Sequence, residues 1–224
     1  MLDTVRASYV WEGPAYPVYY VPKEDVTAEL VATGERKHSP SRGEAVVSDV
    51  KTATGVSPGA ALSYPDSPID QLRGLVRVAW TDDLQWLEED EPVYTHPRDP
   101  YTRVDVLASS RRIRVEVEGV TVAESHSPRI LYETNLPPRY YLPMSDVRLE
   151  LLEPTGAVTH CPYKGAATYW TLVIDHQRHE NVVWCYRAPF PEAQKIAGLL
   201  CFYNEKVDLY VDDVHQERPH TKFG

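Results

Sequence analysis

One stretch of this chain is written twice, and any fold has to accommodate both copies. Aligning residues 9–30, YVWEGPAYPVYYVPKEDVTAEL, with residues 130–151, ILYETNLPPRYYLPMSDVRLEL, sets Glu12 on Glu133, Pro17 on Pro138 and Tyr19-Tyr20 on Tyr140-Tyr141. The same offset sets Pro22 on Pro143, Asp25-Val26 on Asp146-Val147 and Glu29-Leu30 on Glu150-Leu151. One residue further along, His38, Pro40, Gly43 and Tyr64 meet His160, Pro162, Gly165 and Tyr186, and later Gly74-Leu75 meets Gly198-Leu199. Small growing offsets are what loop insertions leave behind, so the chain is one folding unit used in tandem. The first unit is expected over residues 1–90 and the second over 111–224. Residues 91–110, EPVYTHPRDPYTRVDVLASS, carry Pro92, Pro97 and Pro100 and read as an ordered strap between them. His96, Arg98, Asp99 and Tyr101 on that strap could fold back to line a site.

The pattern inside the second unit is that of strands. Residues 112–124, RIRVEVEGVTVAE, alternate apolar and polar around Glu118-Gly119, a hairpin signal. Further strands are expected at 129–133, 139–142, 147–152, 167–174, 181–186, 199–203 and 207–211. One short helix is expected at 191–197, PEAQKIA, with Pro191 near its start and Gly198 just beyond its end, and a matching stub at 68–73. With 19 Pro and 11 Gly among 224 residues, long helices are disfavoured. The expected class is all-β, mainly antiparallel, because crossover helices for a parallel sheet are missing.

Charge and cysteine usage exclude several functions. A net charge of −10 with no basic run opposes binding to a phosphate backbone. Cys161, Cys185 and Cys201 are an odd count without a CxxC pair, which fits neither a disulfide framework nor a Cys-rich zinc site. His176, His179, His215 and His220 are not spaced to enforce a metal centre. No GxxxxGK[ST] or GxGxxG turn is present, so no nucleotide cofactor is implied. No secretory signal or stretch of about 20 apolar residues is found, and a cytoplasmic protein that neither enters membranes nor binds nucleic acid is the expectation.

The most chemically loaded segment is residues 159–170, THCPYKGAATYW. Pro162 and Gly165 shape a connection between strands, which presents side chains at a sheet rim. Cys161 and Lys164 lie three apart, close enough for the ammonium to favour a thiolate. The first copy, KHSPSRGEAVVS at 37–48, carries Ser39 for Cys161 and Arg42 for Lys164, so the positive charge is kept and the thiol is not. Glu133 ends an apolar strand and could serve as a general base or as the partner of Lys164 or Arg139. Tyr140 and Tyr141 point to opposite faces of their strand. Trp184 and Tyr186 share a face and could form an aromatic wall with Tyr169. The candidate catalytic groups are therefore Glu133, Lys164 and Cys161. Arg139, Tyr140, Tyr169, Trp184, Tyr186, His96 and Arg98 are the candidate ligand contacts. An enzyme acting on a small polar metabolite, a ligand-binding or sensing module, and a partner-docking protein are all compatible with these residues.

The segments HPRDPYTRVDVLASSRRIRVEVEGVTVAES (96–125), LYETNLPPRYYLP (131–143), CPYKGAATYW (161–170), VVWCYRAP (182–189) and IAGLLCFYNEKVDLYVD (196–212) resemble a bacterial family catalogued as domain of unknown function 427, also labelled nucleotidyltransferase family 9. The resemblance covers nearly all of the second unit, and the first unit looks like a diverged copy. It implies two tandem β-tent-like units, each of two antiparallel sheets and one short helix. Related tents pinned by zinc use paired CxxC knuckles; without them, packing alone would hold this one. At Cys185 the chain departs from the Ser expected between the Trp and the Tyr. None of the usual nucleotide-binding residues accompanies the transferase label, and kinship of fold carries no activity by itself.

Overall fold

The computed structural model describes residues 2–223, which divide into two compact units, one reaching to Asp99 and one starting at Pro100. The first holds β1 (Ser8–Val10), β2 (Val18–Pro22), β3 (Glu29–Ser39), β4 (Gly43–Lys51), β5 (Val56–Ser63) and β6 (Leu75–Val78), then a hairpin of β7 (Trp86–Glu88) and β8 (Glu91–Val93). The second holds β9 (Val104–Ala108), β10 (Ile113–Val117), β11 (Val120–Ser125), β12 (Arg129–Glu133), β13 (Arg139–Leu142), β14 (Leu152–Cys161), β15 (Gly165–Ile174), β16 (Gln177–Tyr186), β17 (Leu200–Phe202), β18 (Asp208–Val211) and β19 (Val214–Gln216). Every strand pair is antiparallel. The protein is all-β, and no helix among the described residues is long and apolar enough to cross a membrane.

The repeat is structural. The first unit's main sheet runs β1-β2-β6-β5-β4-β3, and the larger sheet of the second runs β12-β13-β17-β16-β15-β14, with β9 added outside β12. Even the irregularities coincide. The register between β3 and β4 slips between Ala32 and Arg36, and between β14 and β15 it slips between Pro154 and Val158. Each bulge carries a Thr-Gly pair: Thr33 Oγ1 donates to the Val47 carbonyl at 3.1 Å, and the Thr155 hydroxyl is shared between the Tyr169 carbonyl at 3.3 Å and Asn181 Oδ1 at 2.8 Å. A hydroxyl that satisfies a ladder carbonyl where the extra residues leave it unpaired fixes the bulge at one position.

The two faces of the larger sheet have separate cores. On one face Leu142, Leu172, Val183 and Leu200 pack against Ile113, Val115, Val122 and Leu209 of a four-stranded sheet, β11-β10-β18-β19. Each such side chain, fully buried, contributes about 1.5–3 kcal/mol. On the other face Leu131, Tyr141, Ala167, Tyr169, Trp184, Tyr186 and Ile196 form a second cluster. Among the described residues, the first unit has only the two-stranded β7-β8 sheet beside its main sheet, and the four-stranded sheet occurs in the second unit. The four-stranded sheet is built from residues 113–125 and 208–216, which lie outside the repeated stretch.

Four local readings change. The strand expected at 147–152 is a 3-10 turn, Leu149–Leu151, with the strand starting only at Leu152 and running through His160 to Cys161. Arg148 N bonds to Val122 O at 2.9 Å, which turns the chain out of the sheet and leaves Leu149 exposed. His179, expected in a hairpin loop, lies within β16 because the turn tightens to Asp175-His176, both with positive φ. The helices at 191–197 and 68–73 are single 3-10 segments, Pro191–Ile196 and Asp70–Leu72, and others form at Lys23–Asp25 and Met144–Asp146. The stretch 91–110 supplies a strand to each unit, β8 to the first and β9 to the second.

Candidate functional site

Lys164 is carried into the interior by a turn pinned at both ends. Cys161 and Gly165 close the β14–β15 connection, and Lys164 N bonds to Cys161 O at 3.3 Å. The Lys164 carbonyl accepts from Phe190 N at 3.2 Å. Gly165 has φ +92, and a Cβ there would stand 3.5 Å from Ala188 O. Only glycine adopts this conformation without strain beside that backbone. With its backbone held, the Lys164 side chain is 9% exposed and donates to Glu133 Oε2, whose side chain is 10% exposed.

Glu133 arrives from β12, on the far side of the same sheet. It ends β12, opposite Val104 of β9, and its carbonyl accepts from Leu136 N at 3.0 Å, where the chain turns away. The Cys161 sulfur is a second polar neighbour of the ammonium. Burial alone would lower the Lys164 pKa, but Cys161 and Glu133 outweigh it and the net shift is upward. Lys164 is therefore an ammonium, which can hold an electron-rich atom or give up a proton to it but is not a nucleophile. Cys185 and Cys201 are buried, and burial pushes both thiols up.

The sequence-predicted aromatics surround this pair from the core side. Tyr169, Trp184 and Tyr186 belong to one buried cluster together with Cys161 and Tyr141. Trp184 Nε1 donates to the Tyr141 hydroxyl at 3.1 Å, and the Tyr169 and Thr159 hydroxyls are bonded at 2.7 Å. Burial holds the Tyr186 phenol well above its ordinary value, with Cys161, Tyr169 and Glu133 adding to the effect, and burial does the same for Tyr141. Both remain neutral phenols. Tyr140 lies on the opposite face, packed against the cluster that includes Leu142 and Leu172.

Arg139 is engaged elsewhere. Its two terminal nitrogens each donate to one oxygen of Glu205 at 2.7 Å, with side-chain exposures of 7% and 0%. Thr221 Oγ1 donates to the same carboxylate at 2.5 Å, and the Trp184, Tyr203 and Phe223 rings lie 5.7, 5.8 and 5.8 Å from the guanidinium. This fork-to-fork clamp ties β13 to the chain after β17. His96 and Arg98 fall in the first unit, where the His96 ring stacks on Tyr16 at 4.1 Å and its Nδ1 lies 2.7 Å from Pro97 O.

The first unit repeats the constellation. Glu12, Tyr20, Arg42 and Tyr64 occupy the places of Glu133, Tyr141, Lys164 and Tyr186. Tyr20 donates to Glu12 Oε1 at 2.6 Å, Arg42 lies 3.8 Å from the same oxygen, and Arg77 Nε stands 3.2 Å from Oε2. Arg77 pairs with Tyr20 as Cys201 pairs with Tyr141, so a second cation replaces a buried thiol. A cavity of about 390 Å³ opens beside Arg42, lined also by Trp11, Ile69, Gln71 and Leu72. Tyr141, Glu205 and Arg77 were not singled out from the sequence. The first was within reach, since the repeat's own offset places Tyr20 and Tyr141 together.

A family model described as Domain of unknown function (DUF427) matches residues 1–88 and again 105–213. Among curated proteins, none matches the chain.

Proposed function

The chain belongs to the DUF427 family in both of its units, a membership that carries no activity, and from the site itself we propose that the second unit binds a small polar metabolite at Lys164 and acts on it by acid–base chemistry. One observation supports this: Lys164, Glu133 and Cys161, from two separate elements, converge within one nearly buried cluster. Stability alone is weak grounds for keeping such a pair, because desolvating two charges offsets most of their attraction. In this reading Lys164 receives the electron-rich atom of the ligand and stabilises charge developing there. Glu133 accepts the proton released, while the neutral Tyr141 and Tyr186 phenols border the pair. Cys161, half-buried, contributes polarity and no covalent step. General acid–base catalysis by a positioned group supplies about 10²–10⁴-fold, so Lys164→Met would lower turnover by at least about 100-fold.

A second reading, a binding or sensing module without chemistry, is favoured by Arg42. A guanidinium exchanges no proton near neutral pH, so the shared property of the two sites is the cation. Both readings meet the same first test: a thermal-shift screen of nucleotides, sugars, amino acids and cyclic imides on the wild type, Lys164→Ala and Trp184→Ala. A ligand at about 100 times its Kd stabilises the folded state by about 2.7 kcal/mol. A hit that stabilises the wild type and leaves Lys164→Ala unmoved supports the site. A shift untouched by both substitutions, or none for any class, refutes it. Turnover of the hit then separates enzyme from sensor.

A further inference from the structure

In the second unit the face bearing Tyr140, Leu142 and Leu172 is covered by the four-stranded sheet. The repeat places Tyr19, Val21 and Val50 at those positions in the first unit. There, Tyr19, Val21, Val26, Ala28, Val50 and Val78 are lined by the leading segment and by residues 84–90 of the β7–β8 hairpin and its approach. The leading segment is tied down by a bridge between Leu2 and Val26, by Thr4 Oγ1 donating to Asp25 Oδ2 at 2.5 Å, and by the Arg6–Asp25 ion pair. These two thin covers fill less volume than a sheet. They leave a cavity of about 630 Å³, within the range of about 300–1,000 Å³ usual for small-ligand sites.

The lining has a definite chemistry. Its floor is aliphatic: Val21, Ala28, Val50 and Val78. Its wall is aromatic: Tyr19 stacks on Trp86 with centroids 5.3 Å apart, and Trp80 backs Trp86 at 4.8 Å. Its charged groups are Asp3, Glu88, Glu89 and Asp90, with no Lys, Arg or His among the lining residues. Tyr19 donates its hydroxyl to Glu88, which holds one carboxylate against the aromatic wall. The Trp86 indole N–H is buried and has no hydrogen-bond partner. π-faces and carboxylates both attract positive charge and both oppose a carboxylate or phosphate ligand.

We propose that this chamber of the first unit binds a small organic cation, an amine or quaternary ammonium on an apolar or aromatic body. The body lies on the valine floor and the cation meets Tyr19, Trp86 and the acidic rim. The site is separate from the Lys164 cluster, and its test does not depend on the reading given to that cluster.

The test is equilibrium dialysis of the full chain with 1-methylquinolinium, its neutral isostere 1-methylnaphthalene, and the anion 1-naphthoate. The cation is expected to bind at least about tenfold more tightly than the neutral compound, the size of a desolvated cation–π contact plus ion attraction. Neutralising three exposed groups, Asp3→Asn with Glu89→Gln and Asp90→Asn, should cut that preference by about threefold or more without disturbing the fold. Trp86→Leu should weaken the cation by about tenfold, and Ala28→Phe, which fills the chamber, should abolish binding of both compounds. Equal affinity for cation and neutral isostere would overturn the proposal. So would no binding of any probe, or cation binding that survives Ala28→Phe.

Discussion

Removing the Lys164 ammonium while leaving its carboxylate in place should be costly, and removing both should not. The Lys164 and Glu133 side chains are 9% and 10% exposed, so in Lys164→Met the carboxylate loses its ion partner in a place water barely reaches. Breaking a buried pair in this way costs about 3–5 kcal/mol. For a chain of this size each kcal/mol lowers Tm by about 2–4 °C, giving a drop of about 6–20 °C. The double variant Lys164→Met/Glu133→Leu removes both desolvation costs and is expected to be as stable as wild type or more stable, by up to about 4 kcal/mol. The first unit serves as the control. Glu12 keeps Tyr20 at 2.6 Å and Arg77 at 3.2 Å when Arg42 is lost, so Arg42→Met should cost markedly less than Lys164→Met. Urea titrations of the wild type and these three variants, followed by tryptophan fluorescence, measure the differences. If the double variant is as unstable as Lys164→Met, the pair is a structural element and the argument that it is kept for a ligand fails.

Other expectations concern the clamp, the turn and the thiol. Burial pushes the Glu205 carboxyl up, but bonds from Arg139 and Thr221 outweigh it and hold it below its ordinary value. Its stabilisation is thus complete above the unfolded value of about 4.3 and is lost as pH falls through the folded one. Urea midpoints should drop between pH 5 and pH 3 in the wild type, and this acid sensitivity should shrink in an Arg139→Met/Glu205→Leu variant. An undiminished drop would place it on other carboxylates. Gly165→Ala should cost about 1–2 kcal/mol, since φ +92 is strained for any L side chain, and a melt unchanged within error would show that the turn relaxes. Cys161→Ser should retain ligand binding, because Ser39 stands at that position in the first copy; loss of binding in a folded variant would make the thiol a contact.

The repeat was legible because its markers are residues that tolerate few surroundings. Tyr, Pro and Gly recur in order at slowly growing offsets, and the main sheets of the two units share one strand order, down to the Thr-Gly bulge. The opposite faces of Tyr140 and Tyr141 followed from strand geometry alone. What failed to show was tertiary. LEL at 149–151 looks like alternation, but the bond from Arg148 to Val122 diverts it. VDVLA is strand-like, yet the preceding prolines made it read as strap, and its pairing with β12 depends on residues far away in sequence. For the site, proximity of Glu133 to Lys164 was one of two pairings the residues allowed. Arg139 went instead to Glu205, a carboxylate with no local signal that it would be buried.

The central claim is that the Lys164–Glu133 cluster holds a ligand, and isothermal titration of a screening hit tests it most directly. The titration compares the wild type with Lys164→Met/Glu133→Leu, the variant expected to stay folded. Saturable heat is expected with the wild type and none with the double variant at matched stability. Equal heat from both would contradict the claim, because the ligand would then bind without the charged pair that is held to receive it.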